Sequence, residues 1–369
     1  MNQVEGLQVW RAIAVLLVAS LHVIQMVYLQ PKSAINLLRF CNLGMFGVDI
    51  FFVISGFILG MTALRAATGE PRVQAYDFIA RRVMRIFPTY WIIILFPLFR
   101  LVRHHELTGF KLFRYWFLLP GLSYPVASPI VGIAWTLIFE MIFYYALAIF
   151  MRFALRHAVA NTMVALVAMV SIGLIVGNKR PVLVFLASPI LLEFVLGGIT
   201  ALAYQRFRSR RGAGIGLLIG GLIATGLLTN YVTNNMAIEQ NVLSGNGILL
   251  HAFTWGLAAW LLVSGVIFWG PQVKSQIGRL FVAIGNQSYS IYLTSAISVE
   301  MVFRVMKKMP SAIVPHGYLA VLEGIACVVL IGIIFYWLVE RPLGKKLGQL
   351  YNSYFKTKPE RLNPHSVGA

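Results

Sequence analysis

Long apolar runs, most of them close to 20 residues, alternate along this chain with short basic or turn-rich stretches. A helix of about 20 residues, rising about 1.5 Å per residue, crosses the hydrocarbon core of a bilayer. On that length the pattern predicts about ten spans, at 7–29, 44–64, 86–102, 134–151, 159–177, 182–204, 213–231, 247–269, 281–303 and 317–339. The interval 104–133 breaks the rhythm. It mixes His104, His105, Glu106, Lys111 and Arg114 with aromatics and with Pro120, Pro125 and Pro129, and reads as an extramembrane or re-entrant loop. The predicted fold class is all-α, a polytopic integral membrane protein. One bundle occupies residues 1–345, and a short basic tail occupies 346–369.

Composition strengthens this reading. With 59% hydrophobic and 12% charged residues, the chain does not have the make-up of an ordinary soluble domain. The net charge of +19 would suggest nucleic acid in a soluble protein. Here the basic residues sit in short loops between apolar runs, where membrane orientation and anionic lipid account for them, so no nucleic-acid partner is expected. With an even number of spans, most of the 31 lysines and arginines fall on the side that holds both termini, which predicts cytoplasmic termini. Cys41 and Cys327 have no metal-ligand spacing, so neither a disulfide framework nor a metal site is expected. The first span lacks a basic n-region and a small-residue cleavage site and reads as retained.

Polar residues inside apolar runs carry the candidate chemistry. In LQVWRAIAVLLVASLHVIQMVYL, Arg11 and His22 are eleven residues apart, which on a helix places them on one face about 16 Å apart along the axis. Arg11 taken alone is also explained by snorkelling to the headgroups, and His22 by a bond to a neighbouring carbonyl. An ionisable group in a span is costly to face toward lipid, so the shared face should look onto protein or water. Asp49 lies near the start of the second span in FGVDIFFVISGF, with Ser55 and Gly56 farther in. It reads either as solvated at the interface or as part of a polar core. Gly44, Gly47, Gly56 and Gly60 read as close helix contacts. In DFIARRVMRIFPTYW, Arg82 and Arg85 are three apart and form a cationic fork, which suits either a membrane anchor or bidentate phosphate binding. Glu140 sits mid-span in AWTLIFEMIFYYAL with Tyr144 one turn on, and needs a partner, for which Arg11, His22 and the Arg82 pair are candidates. Glu193, His251 and Glu323 read as satisfied structural groups in later spans.

In their order, these elements resemble the membrane-bound acyltransferase-3 family, and within it bacterial exopolysaccharide and Nod-factor O-acetyltransferases. The resemblance is carried by Arg11 to His22, FGVDIFFVISGF, Arg82 and Arg85 with Ile86, Pro88 and Tyr90, Trp135 to Glu140 and Tyr144, and GNQSYSIYL at 285–293, with VERP at 339–342 as a weaker tail feature. It implies a bacterial inner-membrane enzyme that moves an acyl group, commonly acetyl from acetyl-CoA, onto a hydroxyl of an extracytoplasmic glycan such as exopolysaccharide or lipopolysaccharide. The expected partners are an acyl-CoA donor, a glycan acceptor and the bilayer, with no bound cofactor. Carried over to this chain, His22, Arg11 and Glu140 are the catalytic candidates, and Arg82 and Arg85 the acyl-CoA-binding pair. Asp49, Ser55, Tyr144, Ser288 and Tyr289 are the supporting polar core. One departure is visible: the family commonly has a histidine two residues after the leucine of its SYS-x-YL segment, and here Leu293 is followed by Thr294 and Ser295.

The chemistry is compatible with these residues. An alcohol attacking a thioester needs a base, and a histidine, with an unperturbed pKa of about 6.5, suits that task. Two other classes remain open. A transporter or flippase of an anionic or lipid-linked glycan would also line a path with buried charges, although no inverted repeat is visible. A non-catalytic partner in a polysaccharide assembly complex would need none of them.

Overall fold

A computed structural model of the protein describes residues 5–28, 38–67, 74–120, 130–177, 181–207, 210–231, 242, 247–308 and 317–355. The chain runs through α1 (Glu5–Tyr28), α2 (Leu38–Ala67), α3 (Ala75–Arg103), α4 (Gly109–Trp116), α5 (Ala134–Phe153), α6 (Ala158–Val176), α7 (Pro181–Leu186) and α8 (Leu191–Phe207). It continues through α9 (Arg211–Tyr231), α10 (Ile248–Trp269), α11 (Gln276–Asn286), α12 (Ser288–Met306), α13 (Gly317–Phe335) and α14 (Arg341–Phe355). A π-helical turn at Ala252–Gly256 interrupts α10, and another at Tyr336–Glu340 joins α13 to α14.

Among the described residues there is no strand, and nine helical stretches are long and apolar enough to cross a membrane. They match nine of the ten expected positions. The remaining one, 281–303, is broken at Gln287: α11 stops at Asn286 and α12 begins at Ser288. Helix α12 has 19 residues and packs against α1 and α13, but it opens on the polar run SYSIYLTS and lies inside the bundle. The third span also begins earlier than its hydropathy suggests. Helix α3 is continuous from Ala75, so Arg81, Arg82 and Arg85 belong to it rather than to a preceding loop. Pro88 and Pro97 lie within it. A proline removes one helical hydrogen bond, and neighbouring groups must compensate. Near Pro88, though not at the Met84 carbonyl it leaves unpaired, the Thr89 hydroxyl donates to the Ile86 carbonyl at 3.1 Å and the Tyr289 hydroxyl to the same oxygen at 3.0 Å, which ties α3 to α12.

Helix α2 lies between α1 and α8, and glycines set both contacts. A Cβ at Gly47 would stand 2.3 Å from the Ala14 carbonyl oxygen, and one at Gly56 2.3 Å from that of Phe194. Lipid does not drive apolar helices together, so such backbone-to-backbone packing is a main source of their association. Faces turned away from the bundle are apolar, with Ile172 and Ile175 on α6, Leu222 and Ile223 on α9, and Leu319 and Leu322 on α13 all exposed.

In the interval 104–133, the described part does not project as a free loop. The Thr108 side chain caps α4 by accepting from the Lys111 amide at 3.2 Å. The helix folds back along α3, where Tyr90 Oη donates to the Tyr115 carbonyl at 2.8 Å and Trp91 Nε1 to that of Trp116 at 2.9 Å. The Trp91 and Trp116 rings stack at 5.1 Å. Pro125 and Pro129 lie outside the described residues, as does the basic tail from 356 onward. Residues 346–355 extend α14, and Tyr351 on it hydrogen-bonds Asp77 in the first turn of α3.

Candidate active site

At the end of the bundle where α3 begins, five helices turn polar side chains toward one another. Arg11 comes from α1, Ser55 from α2, Arg82 and Arg85 from α3, Glu140 and Tyr144 from α5, and Ser288 and Tyr289 from α12. Together they line a cavity of about 100 Å³ whose other walls include Val48, Phe52, Ile54, Leu137 and Tyr292. That volume has room for a few atoms, such as an acyl group, and none for a nucleotide.

Glu140 is held from two sides. Tyr144 donates to its Oε1 at 2.5 Å and Ser55 to the same oxygen at 3.2 Å. The sequence had suggested arginine or His22 as its partner. Arg11, Arg82 and Arg85 instead share its cavity, while among the described residues hydroxyls make its hydrogen bonds. The Arg82 guanidinium stands over the rings of Phe78 and Tyr144, at 5.8 and 5.9 Å from their centroids. Its Nε is buried without a hydrogen-bond partner, as is the Ser288 hydroxyl. Both are donors left open in or beside the cavity.

A second, wider cavity of about 480 Å³ adjoins the first, and Arg82 and Arg85 line both. Its other walls come from Arg81, Pro88 and Thr89 on α3, and from Tyr336, Glu340, Arg341, Lys345 and Tyr351 at the end of the chain. Glu340 accepts a hydrogen bond from Ser290 and so ties the π turn to α12. Gly344 and Gly348 face open space here, where a Cβ would meet nothing within 4 Å. Arg341 and Lys345, one helical turn apart, were missed as site residues. The only sequence signal for them was the VERP tail motif with a basic residue four positions on.

Two of the expected residues lie elsewhere. His22 is half-buried on α1, about 16 Å of helix rise beyond Arg11, and lines neither of these two cavities. Asp49 does not join the polar core around Glu140, nor is it solvated at an interface. It is 1% exposed, and its Oδ1 lies 2.9 Å from His251 Nε2. Glu193 and His251 are buried beside it, while Glu323 is exposed on α13. Leu293, Thr294 and Ser295 are buried, and the Ser295 hydroxyl donates back to the Tyr292 carbonyl at 2.8 Å.

Residues 4–341 match the family described as the acyltransferase domain, acyltransferase-3. The exopolysaccharide production protein ExoZ of Rhizobium meliloti (strain 1021) is 30% identical over 320 residues, covering 82% of this chain and 90% of that protein. YrhL of Bacillus subtilis (strain 168), described as a candidate peptidoglycan O-acetyltransferase, is 30% identical over 156 residues, which cover 38% of this chain and 22% of that protein. No solved structure matches the chain. A family match over nearly the whole sequence, on a multi-pass helical bundle with a polar cavity in its core, means that the chain belongs to the acyltransferase-3 family and is a membrane-bound acyltransferase.

Proposed function

We propose that the protein is an O-acetyltransferase that takes the acetyl group from cytoplasmic acetyl-CoA and places it on a hydroxyl of an extracytoplasmic glycan, such as an exopolysaccharide. The observation that carries this reading is the position of Arg82 and Arg85 between a wide cationic cavity and a narrow buried one. Coenzyme A has that shape: a phosphate-rich nucleotide followed by a thin arm that ends in the thioester. The wide cavity, with Arg81, Arg341 and Lys345 around the pair, suits the phosphates, because guanidinium groups match phosphate oxygens in bidentate fashion. The narrow cavity suits the acyl group at the tip of the arm. The names of ExoZ and YrhL favour a polysaccharide hydroxyl as acceptor.

In the reaction the hydroxyl oxygen attacks the thioester carbonyl, a C–O bond forms and the C–S bond breaks. The hydroxyl proton passes to a base, and the thiolate takes up a proton as it leaves. His22 is the proposed base, on the α1 face it shares with Arg11, farther from the phosphate end. The acyl group would therefore travel beyond the Glu140 level to meet the acceptor. Purified protein given acetyl-CoA and the glycan should release free coenzyme A thiol together with O-acetylated glycan. Proton NMR of surface polysaccharide from cells with and without the protein should differ by O-acetyl signals. Unchanged acetylation with a shift in where unmodified glycan accumulates would instead mark a transporter.

A further inference from the structure

On a different face of α2, three ionisable side chains from three helices meet in the core. Asp49 and Ser55 are six positions apart, about 240° around the helix, so Asp49 points away from the Glu140 cavity. It meets Glu193 of α8 and His251 of α10. The three residues are 1%, 0% and 6% exposed, and one donor atom from each lies within 4.8 Å of the other two. The 2.9 Å contact between His251 Nε2 and Asp49 Oδ1 leaves most of their bonding capacity unused. Asp49 Oδ2, both carboxylate oxygens of Glu193 and His251 Nδ1 are buried without a hydrogen-bond partner. Among the described residues, no lysine or arginine pairs with either acid.

In the ionised form that metal ligands take, two carboxylates and a neutral imidazole carry a charge of −2, and burying that charge uncompensated in a low-dielectric core is strongly unfavourable. One divalent cation cancels it. Tetrahedral metal–nitrogen and metal–oxygen bonds of about 2.0–2.2 Å place neighbouring donors about 3.4 Å apart, a spacing between the 2.9 Å of Asp49 to His251 and the 4.8 Å that bounds the three donors. The missing side chain at Gly256 lets Glu193 reach into the group. A Cβ at Gly256 would stand 3.0 Å from Glu193 Cγ and 3.2 Å from its Oε1. The π turn that opens directly after His251 is a type of irregularity often found where a helix serves a site. The direct contact of Gly56 with the Phe194 carbonyl brings the α8 backbone beside Glu193 against α2.

We propose that Asp49, Glu193 and His251 bind one divalent first-row metal ion and so fasten α2, α8 and α10 together at a point separate from the transfer cavity. One nitrogen and two carboxylates favour zinc or manganese(II) over calcium, which prefers oxygen alone, and over copper(I), which prefers sulfur. The three ligands come from separate helices, so no ligand spacing in the sequence announces them. Phe52 links the ion site to the cavity: it lines the cavity wall and packs at 4.6 Å on Phe194, the neighbour of Glu193.

The test uses the full-length protein in detergent, purified through a tag free of histidine, with metal content read by plasma mass spectrometry. About one zinc or manganese per chain is expected, falling to background in Glu193→Gln and His251→Gln. Stripping wild-type protein with a chelator should lower its melting temperature. Zinc or manganese alone should restore it, the better of the two marking the resident ion, whereas magnesium and calcium should not. Glu193→Gln also separates this site from a pair of acids that share a proton, since the amide preserves shape and hydrogen bonding and would leave such a pair stable. Metal-free wild-type protein whose melting is indifferent to chelator and to added zinc or manganese overturns the proposal, as does a Glu193→Gln variant with undiminished metal. Should a variant fail to fold, the wild-type stripping and restoration decide the matter alone.

Discussion

Tyr144 stands one turn beyond Glu140 on α5 and donates a 2.5 Å hydrogen bond to its Oε1, while the Arg82 guanidinium lies over the tyrosine ring at 5.9 Å. The phenol thus connects the half-buried Glu140 carboxylate to the arginine pair. In Tyr144→Phe, Glu140 keeps Ser55 but loses its closer donor. A hydrogen bond to a charged group is worth about 1.5–3 kcal/mol, less for a half-buried group such as Glu140, so the melting temperature should fall by a few degrees and the transfer rate by about tenfold. Glu140→Gln should lose more activity than Tyr144→Phe. Equal rates in wild type and both variants, measured as thiol release, would remove Glu140 from the reaction.

The arginine pair and the chain end can be separated by substrate. Replacing Arg82 and Arg85 together by lysine keeps the charge but loses the planar fork, and should raise KM for acetyl-CoA about tenfold or more with the protein still in the membrane. Arg341→Ala and Lys345→Ala should raise KM for acetyl-CoA, and more so at low ionic strength, where exposed charges are least screened. Neither should affect acetyl-pantetheine, which lacks the nucleotide phosphates. An unchanged KM in the double lysine variant would make the pair a topology anchor.

His22→Gln keeps size and hydrogen bonding but cannot take up a proton, and should lower transfer by about 10²- to 10⁴-fold if His22 is the base. Arg11→Lys should lower it only in part. Transfer by the wild type should decline toward acid pH, because a protonated imidazole cannot act as base, and rise as pH increases until the ring is neutral. Near-normal rates in folded His22→Gln would move the base to another group, with Glu140 the first to examine since it lines the cavity that His22 does not.

With the 19-residue α12 taken as the tenth crossing, the basic residues predict both termini on the cytoplasmic side. Reporter fusions placed near Thr68 and near Lys356 should both read as cytoplasmic. The bond between Asp77 at the start of α3 and Tyr351 near the end of α14 already puts those two elements at one end of the bundle. A periplasmic signal from either fusion would reverse the proposed direction of acyl transfer.

What the sequence determined by itself was the set of spans and the chemical types available to the site. An apolar run of about 20 residues is a local property, and in lipid every backbone group must be bonded within its own helix, so the spans at 44–64 or 134–151 could be read without knowing their neighbours. Arg82, Arg85 and Glu140 stood out because charge inside such runs is rare. The structure places all three around one cavity. The break at Gln287 and the early start of α3 escaped notice because hydropathy averages over a window and does not register a single turn or an amphipathic helical extension. Only the tertiary structure decided who meets whom. Lipid is as apolar as the helix faces it surrounds, so neighbours are chosen by shape and polar pairing between distant segments. Close contacts at Gly47 and Gly56 fix α2 against α1 and α8, and by that packing Ser55 turns to Glu140 while Asp49 turns to Glu193 and His251. No spacing along the chain carries that division, because it depends on which face of α2 each neighbouring helix covers.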